Sequence, residues 1–305
     1  MIDLFIGSVL AMTLPTPAQA QTVLQPLLIA GDMNPPKIVR AIAPTKKRAN
    51  SVGVKTTGAS VFVADIASGK VLYSKDAHRV MPIASITKLV TAMVFLDQKP
   101  DMTRMVTFQS ADFDREGKAV FKVGDQITNE DLLRSLLIGS VNASANVMAR
   151  TSLGMEEFVV AMNAKTRELG LKTPRFVEPS GIRPENQASA ADVAAILSIA
   201  SGYPDIRRIT QSGDFEMTVK NTNQKMRIIS TNLLLTSYLN KGPYKIVAAK
   251  TGSLPEAGYC MAQVTRNAAG NEIIAVELGN ENHFSRYNDI KALTGWAFET
   301  YQWER

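Results

Sequence analysis

Strand-forming runs stand at both ends of this 305-residue chain, and helical runs fill its middle. Towards the N-terminus, Ser60-Val61-Phe62-Val63-Ala64-Asp65 and Val71-Leu72-Tyr73-Ser74 flank a turn at Ser68-Gly69-Lys70, which predicts a hairpin. Towards the C-terminus, residues 244–249, 258–265 and 272–278 predict further strands, the last two around a turn at Ala269-Gly270-Asn271. A closing helix is expected over about residues 285–301. Strands at both ends around a helical middle imply one sheet built from both ends, with a helical subdomain inserted over about residues 90–205. The expected class is α/β in the α+β sense.

In the middle, Leu89, Ala92, Met93 and Leu96 share a helical face. So do Met155, Phe158, Val159, Met162 and Leu169, with Gly170 as the residue that ends the helix. These stripes read as core. Ser189-Ala190-Ala191-Asp192, ahead of an apolar run, reads as a capping box. Residues 1–20 resemble an export signal: the apolar run 4–14 is too short for a bilayer, and Ala18-x-Ala20 is a small-x-small cleavage site. The first basic residue is Lys37, so the usual positive start is missing and the true start can lie upstream of Met1. Residues 21–57 read as a flexible basic leader, and 58–303 as the folded domain. No later segment has the length and apolarity of a membrane anchor.

A formal charge of +6 favours polyanionic surroundings: nucleic acid, acidic wall polymer or anionic lipid. No nucleic-acid module spacing accompanies it, and Lys46-Lys47-Arg48 reads as part of a solvated tail, so no nucleic-acid partner is expected. Cys260 is the single cysteine and reads as a small core residue. With only His78 and His283 beside it, neither a zinc site nor a Ser-His-Asp triad finds support; no metal or cofactor is expected.

Three short strings carry the chemistry. In Ser85-Ile86-Thr87-Lys88 the hydroxyl stands at a helix start and the amine follows one turn later, within reach of it. A chain of this composition carries about one Ser-x-x-Lys by chance, so this string alone could be a capped helix with a surface lysine. A lysine is a base only when neutral, which burial and a neighbouring like charge favour. Lys250, in Lys250-Thr251-Gly252, supplies that charge if its strand lines the same cleft, where Gly252 would let a substrate backbone come close. Taken alone, that string is a strand ending in a turn. Ser140-Val141-Asn142 lies between two helical runs, where Ser and Asn commonly cap. In combination, Ser140 can relay a proton to the departing amine and Asn142 can hold Lys88 or the substrate amide. The set is complete for acyl transfer through a serine ester.

In this order the strings resemble those of the serine D-alanyl-D-alanine peptidases, the low-molecular-mass penicillin-binding proteins. Further landmarks agree: Pro82-Ile83-Ala84 before Ser85, Glu178-Pro179-Ser180-Gly181-Ile182, Ser189-Ala190-Ala191-Asp192, Ala257-Gly258-Tyr259 and Gly295-Trp296-Ala297-Phe298. The resemblance covers about residues 58–303. It implies a β-lactamase/DD-peptidase-like fold, an antiparallel sheet flanked by helices with a helical insertion. It implies Ser85 as nucleophile, Lys88 as general base, and Ser140 and Asn142 as the second catalytic element. Lys250, Thr251 and Gly252 would line the substrate, and the N–H groups of Ser85 and Ser253 would form the oxyanion hole. Arg286 resembles the family arginine near the substrate carboxylate, a surface salt bridge being its other reading. The implied activity is hydrolysis of D-alanyl bonds in peptidoglycan stem peptides in the periplasm, with β-lactams as covalent inhibitors.

Two departures from the family pattern stand out. Val141 replaces the glycine or aspartate common between Ser and Asn. The chain ends after its closing helix, where family carboxypeptidases often continue, and this favours a D,D-endopeptidase that cuts cross-links, with carboxypeptidase as the alternative. A β-lactamase would need a deacylating glutamate; Glu178 and Glu185 lie roughly there, without the Glu-x-x-Leu-Asn pattern. A non-catalytic β-lactam or wall sensor is a third reading, against which intact Ser85, Lys88 and Lys250 argue.

Overall fold

The computed structural model describes residues 41–47, 49–113 and 120–304; the expected export signal and most of the basic leader lie outside the described residues. Strands β1 (Ser60–Asp65) and β2 (Val71–Lys75) form the first hairpin. Six helices follow: α1 (Lys88–Asp97), α2 (Asn129–Leu137), α3 (Asn142–Ser152), α4 (Met155–Glu168), α5 (Ala190–Ala200) and α6 (Pro204–Thr210). The chain returns through β3 (Tyr244–Leu254), β4 (Gly258–Asn267) and β5 (Glu272–Asn280) and closes with α7 (Ser285–Thr300).

The five strands make one antiparallel sheet in the order β3-β4-β5-β1-β2. The β5–β1 ladder, with Ile274 opposite Ala64, joins the two ends of the chain as the strand pattern predicts. Both faces of the sheet are covered. Phe62, Ala64, Ile274, Val276 and Leu278 face the helical insertion, while Val61, Val63, Ile273 and Ala275 face α7. This period-two division leaves β1 buried throughout. Edge strand β3 alone can offer its outer backbone to a cleft on the site side, because β2 closes the other edge.

Four differences from expectation have physical causes. Helix α1 carries no single apolar stripe: Lys88 to Phe95 are all buried, because α2, α3, α4 and α5 surround it. Burying Leu89, Met93 and Phe95 stabilises it by about 1.5–3 kcal/mol each and fixes the turn that precedes it. The capping box at α5 closes only halfway. Asp192 N–H donates to Ser189 Oγ (3.1 Å), but the Asp192 carboxylate accepts from Thr173 N–H and Oγ1, and Thr173 Oγ1 accepts from Ser189 N–H. The ladder of Asp214–Thr218 with Lys225–Ile229, which the periodicity did not reveal, follows α6. The leader is tied down earlier than residue 57: Thr45–Lys46 pairs with Tyr301–Gln302, and Lys70 Nζ donates to the Pro44 carbonyl (2.7 Å). No helix among the described residues is long and apolar enough to cross a membrane.

Candidate active site

Ser85 lies on a strained turn between two firm supports. The segment Val80–Pro82 pairs with Gln187–Ser189, and Ile83 N–H donates to the Asn186 carbonyl (3.0 Å). The chain then turns through Ala84 at φ 48°, passes Ser85 in the 3-10 turn Ala84–Thr87 and enters α1. A left-handed alanine costs about 1–2 kcal/mol, and the buried Ile83 and Ile86 on either side hold it there. Gly181 (φ 80°) packs on the turn so closely that a Cβ would lie 2.0 Å from the Ala84 carbonyl oxygen.

Lys88, fully buried, reaches back as its i+3 spacing requires. Its Nζ donates to Ser85 Oγ (2.9 Å), to Asn142 Oδ1 (2.7 Å) and to the Ser180 carbonyl. The Ser180 carbonyl is a functional contact the sequence did not reveal, because backbone acceptors leave no residue signature. Glu178 aims it. The Glu178 carboxylate accepts from Ser180 N–H and Oγ (2.6 Å each), Gly181 N–H (2.6 Å), Ile182 N–H (3.0 Å) and Asn186 Nδ2 (2.9 Å). Glu178 thus shapes its own loop, and Glu185 pairs with Arg183 at the exposed surface. Neither takes the place that the β-lactamase reading needs.

Ser140 sits in the turn between α2 and α3, also left-handed at φ 57°. Across the cleft, Lys250 Nζ on β3 donates to Ser140 Oγ (2.8 Å) and to the Thr251 carbonyl (2.9 Å). Burial first, and then the positive charges of Lys88 and Arg286, hold Lys250 well below the usual lysine range. The sequence reading has the Lys250 charge lowering Lys88; the shift in the structure falls on Lys250, with desolvation as its first cause and Lys88 as its second. Among the described residues no hydrogen bond joins Ser85 to either histidine.

Gly252 has a packing role beside the substrate approach anticipated from the sequence. A Cβ there would fall 2.8 Å from the Ile83 carbonyl oxygen and 3.1 Å from Ser85 N. The missing side chain lets β3 lie against the nucleophile's own turn. Ser253 follows, exposed at the cleft mouth. Arg286, only 4% exposed, is not a surface salt bridge. Its Nη1 donates to the Gly252 carbonyl (2.9 Å) and its Nη2 to Tyr287 Oη (2.8 Å), with the guanidinium over the rings of Tyr259 and Tyr287. It braces the strand.

Thr231 went unnoticed in the sequence, since no local motif surrounds it. Its Oγ1 lies 2.6 Å from Thr251 Oγ1, its N–H donates to the Ile138 carbonyl (3.1 Å), and its carbonyl accepts from Tyr287 Oη (2.8 Å). One residue thus ties the Ser140 turn, the Lys250 strand and the Arg286 helix together.

Ser85, Lys88, Ser140, Asn142, Lys250, Thr251, Gly252 and Ser253 therefore converge on one cleft, with Arg286 bracing its strand. Comparison with known proteins gives the same direction. The family model described as D-alanyl-D-alanine carboxypeptidase matches residues 45–282. A D-alanyl-D-alanine endopeptidase of Pseudomonas aeruginosa is 34% identical over 243 residues, 78% of this chain and 76% of that protein. A D-alanyl-D-alanine endopeptidase of Escherichia coli is 29% identical, over 84% of this chain and 82% of the relative. Among solved structures, the Streptomyces K15 DD-transpeptidase superposes with a TM-score of 0.75 at 25% identity, covering 82% of this chain and all of its own.

Proposed function

This chain belongs to the D-alanyl-D-alanine carboxypeptidase family of serine peptidases, and we propose that it is a D,D-endopeptidase that opens peptidoglycan cross-links in the periplasm. Ser85 Oγ attacks the D-alanyl carbonyl and gives its proton to Lys88 Nζ. The N–H groups of Ser85 and Ser253 receive the oxyanion, each such donor being worth about 3 kcal/mol of barrier. The departing amine takes a proton through Ser140, and water then releases the acyl group from Ser85 with Lys88 as base. Asn142 holds the Lys88 amine, while Thr251 and Gly252 line the peptide. β-Lactams enter the same path and remain on Ser85.

The observation that carries this reading is the Lys88 amine 2.9 Å from Ser85 Oγ, with the Lys250 amine on Ser140 across the same cleft. Lys250 is held low by burial and then by Lys88 and Arg286, so the cavity disfavours two ammonium groups at once and supports one of its two lysine amines being neutral. Endopeptidase preference draws on the relatives of Pseudomonas aeruginosa and Escherichia coli, both named endopeptidases. The family's own description favours carboxypeptidase as the second reading.

The test uses purified protein, a fluorescent penicillin and muropeptides. A long-lived adduct mapped to residue 85 by mass spectrometry, absent in Ser85→Ala, together with cleavage of cross-linked dimers, is expected. Release of D-alanine from uncross-linked pentapeptides with dimers left intact would replace the endopeptidase by a carboxypeptidase. Rapid penicillin turnover would make it a β-lactamase. Reversible binding without an adduct would overturn the catalytic reading.

A further inference from the structure

Helix α7 starts without local support. Phe284 at its N-cap makes no side-chain bond to the first turn, and no acidic residue stands in that turn. The turn carries Arg286 instead, a cation at the positive end of the helix dipole. Other parts of the chain must therefore hold it in place. Its place matters, because Arg286 Nη1 donates to the Gly252 carbonyl (2.9 Å) on β3, where Gly252 lies against the Ser85 turn.

The leader supplies that hold. It runs beside α7 from the last turn of the helix back towards its start. Lys47 N–H donates to the Thr300 carbonyl (2.8 Å) and Trp296 Nε1 to Ser51 Oγ (2.7 Å). Nearest the cleft, Thr57 N–H and Thr57 Oγ1 both donate to Asp289 Oδ2 (2.7 Å each). Asp289 follows Arg286 by three residues, so the two side chains leave neighbouring turns on one side of α7.

Thr57 is also held from the sheet. Asn280 Nδ2, at the end of β5, donates to Thr57 Oγ1 (2.7 Å) and to Glu277 Oε1 (3.0 Å). Lys75 Nζ, on β2, donates to the neighbouring Gly58 carbonyl (2.7 Å). The Thr57 hydroxyl thus accepts from the sheet and donates to the helix. It joins the two one turn away from the residue that grips β3.

We propose that Thr57 is a positioning residue for acylation of Ser85: its hydroxyl sets α7 against the sheet and so, through Arg286, sets β3 against the nucleophile. Given the serine-peptidase reading above, on which this rests, Thr57 touches no reacting group. It acts only as far as Arg286 transmits its bond. Thr57 is exposed and Asp289 is half-buried, so water competes for the hydroxyl and the effect is several-fold rather than a hundredfold.

The experiment follows acylation of Ser85 by fluorescent penicillin, together with Tm, on the full chain. Thr57→Val keeps the shape and the N–H bond to Asp289 while removing the hydroxyl's bonds to Asp289 and Asn280. Acylation is expected to slow about three- to tenfold, and Thr57→Ser, which returns the oxygen, to restore it. Ser51→Ala loosens the far end of the same leader by removing the acceptor of Trp296. It is expected to lower Tm and to leave acylation within about twofold. A double variant tests the route. With Arg286→Met the path from Thr57 to β3 is already cut, so adding Thr57→Val is expected to cost nothing further in rate. If Arg286→Met does not fold, the shorter and still polar Arg286→Gln takes its place. Unchanged acylation in Thr57→Val, equal slowing in Ser51→Ala, or full addition of the Thr57 and Arg286 effects overturns the positioning role. Absence of penicillin labelling at Ser85 in the unaltered protein overturns the serine-peptidase reading, and the positioning role with it.

Discussion

Lys250 and Glu277 meet the same physics in two places. Lys250 is 2% exposed on edge strand β3, and Glu277 is 0% exposed on inner strand β5. Burial, and a like charge beside each, push both towards the neutral form. Lys88 helps lower Lys250, while Asp289 helps raise Glu277 to about 9, so that Glu277 keeps a proton at neutral pH. Their surroundings differ. Lys250 donates to Ser140 in a cleft that holds a nucleophile. Glu277 is sealed under Gly58, where a Cβ would come within 2.3 Å of its side chain, and Asn280 Nδ2 donates to it (3.0 Å). A perturbed ionisation marks burial; only the groups around it make it chemistry.

The largest expected effect separates the two. Lys250→Met should slow acylation of Ser85 by penicillin about 10²–10⁴-fold, the span of a lost proton-transfer partner, without lowering Tm. The folded pKa of Lys250 lies below its unfolded value, so the unfolded chain binds the extra proton. The resulting cost is full at low pH and fades as pH climbs towards the unfolded value of 10.5. Glu277→Gln should leave acylation within about twofold and change the pH dependence of stability in the opposite direction. The folded pKa of Glu277, about 9, lies above the unfolded 4.5, so its contribution is whole below 4.5 and is lost as pH rises through 9. Melting curves between pH 5 and 9.5 should show the unaltered protein losing more Tm than Glu277→Gln. Equal slopes, or a large loss of acylation in Glu277→Gln, would dissolve the distinction.

A second contrast lies within the cleft itself. On the helical side, the groups stand on strained turns: Ala84 at φ 48°, Ser140 at φ 57° and Gly181 at φ 80°. On the strand side, Lys250, Thr251 and Gly252 follow the ordinary alternation of β3. Gly181→Ala should therefore be the most damaging exchange outside the reacting groups. Its Cβ meets backbone, which cannot step aside as a flexible side chain can, and its φ suits glycine. About 3 kcal/mol of stability and roughly a hundredfold in acylation rate are expected to go together, because the displaced turn carries Ser85. A melting curve and a penicillin-labelling time course on one preparation check both. A stable, active Gly181→Ala protein would mean that the turn tolerates what its geometry forbids.

The same contrast explains what was legible in the sequence. The strands were readable as β-rich runs around turns at Gly69 and Gly270, and their sharing one sheet followed from their places at both ends of a helical middle. Ser85 and Lys88 were readable because i+3 spacing on a helix fixes their approach. Arg286 was found, but its partner was not: a carbonyl on another element, Gly252, has no mark in sequence. Gly252 was singled out for nearness to a substrate; its nearness to Ile83 and Ser85, which by itself forbids a side chain, had no mark in the sequence. The leader from residue 44 was taken as solvated because its contacts, Lys70 to Pro44 and Thr57 to Asp289, join residues far apart in the chain. Long-range backbone partners escape periodicity arguments.

Thr231 offers the smallest and most discriminating test of the strand side. Its hydroxyl meets that of Thr251 at 2.6 Å, while its backbone bonds, to Ile138 and from Tyr287, survive any side-chain exchange. Thr231→Val keeps shape and removes only the hydroxyl. Losing one such bond costs about 1 kcal/mol, which is about fivefold in kcat/KM when the bond positions a substrate-lining group. Thr231→Ser should restore the rate, since it returns the oxygen without the methyl. If Thr231→Val lowers Tm but leaves kcat/KM alone, the residue only ties the cleft walls together. If the rate falls at unchanged Tm and serine rescues it, the paired hydroxyls set where the peptide lies against β3.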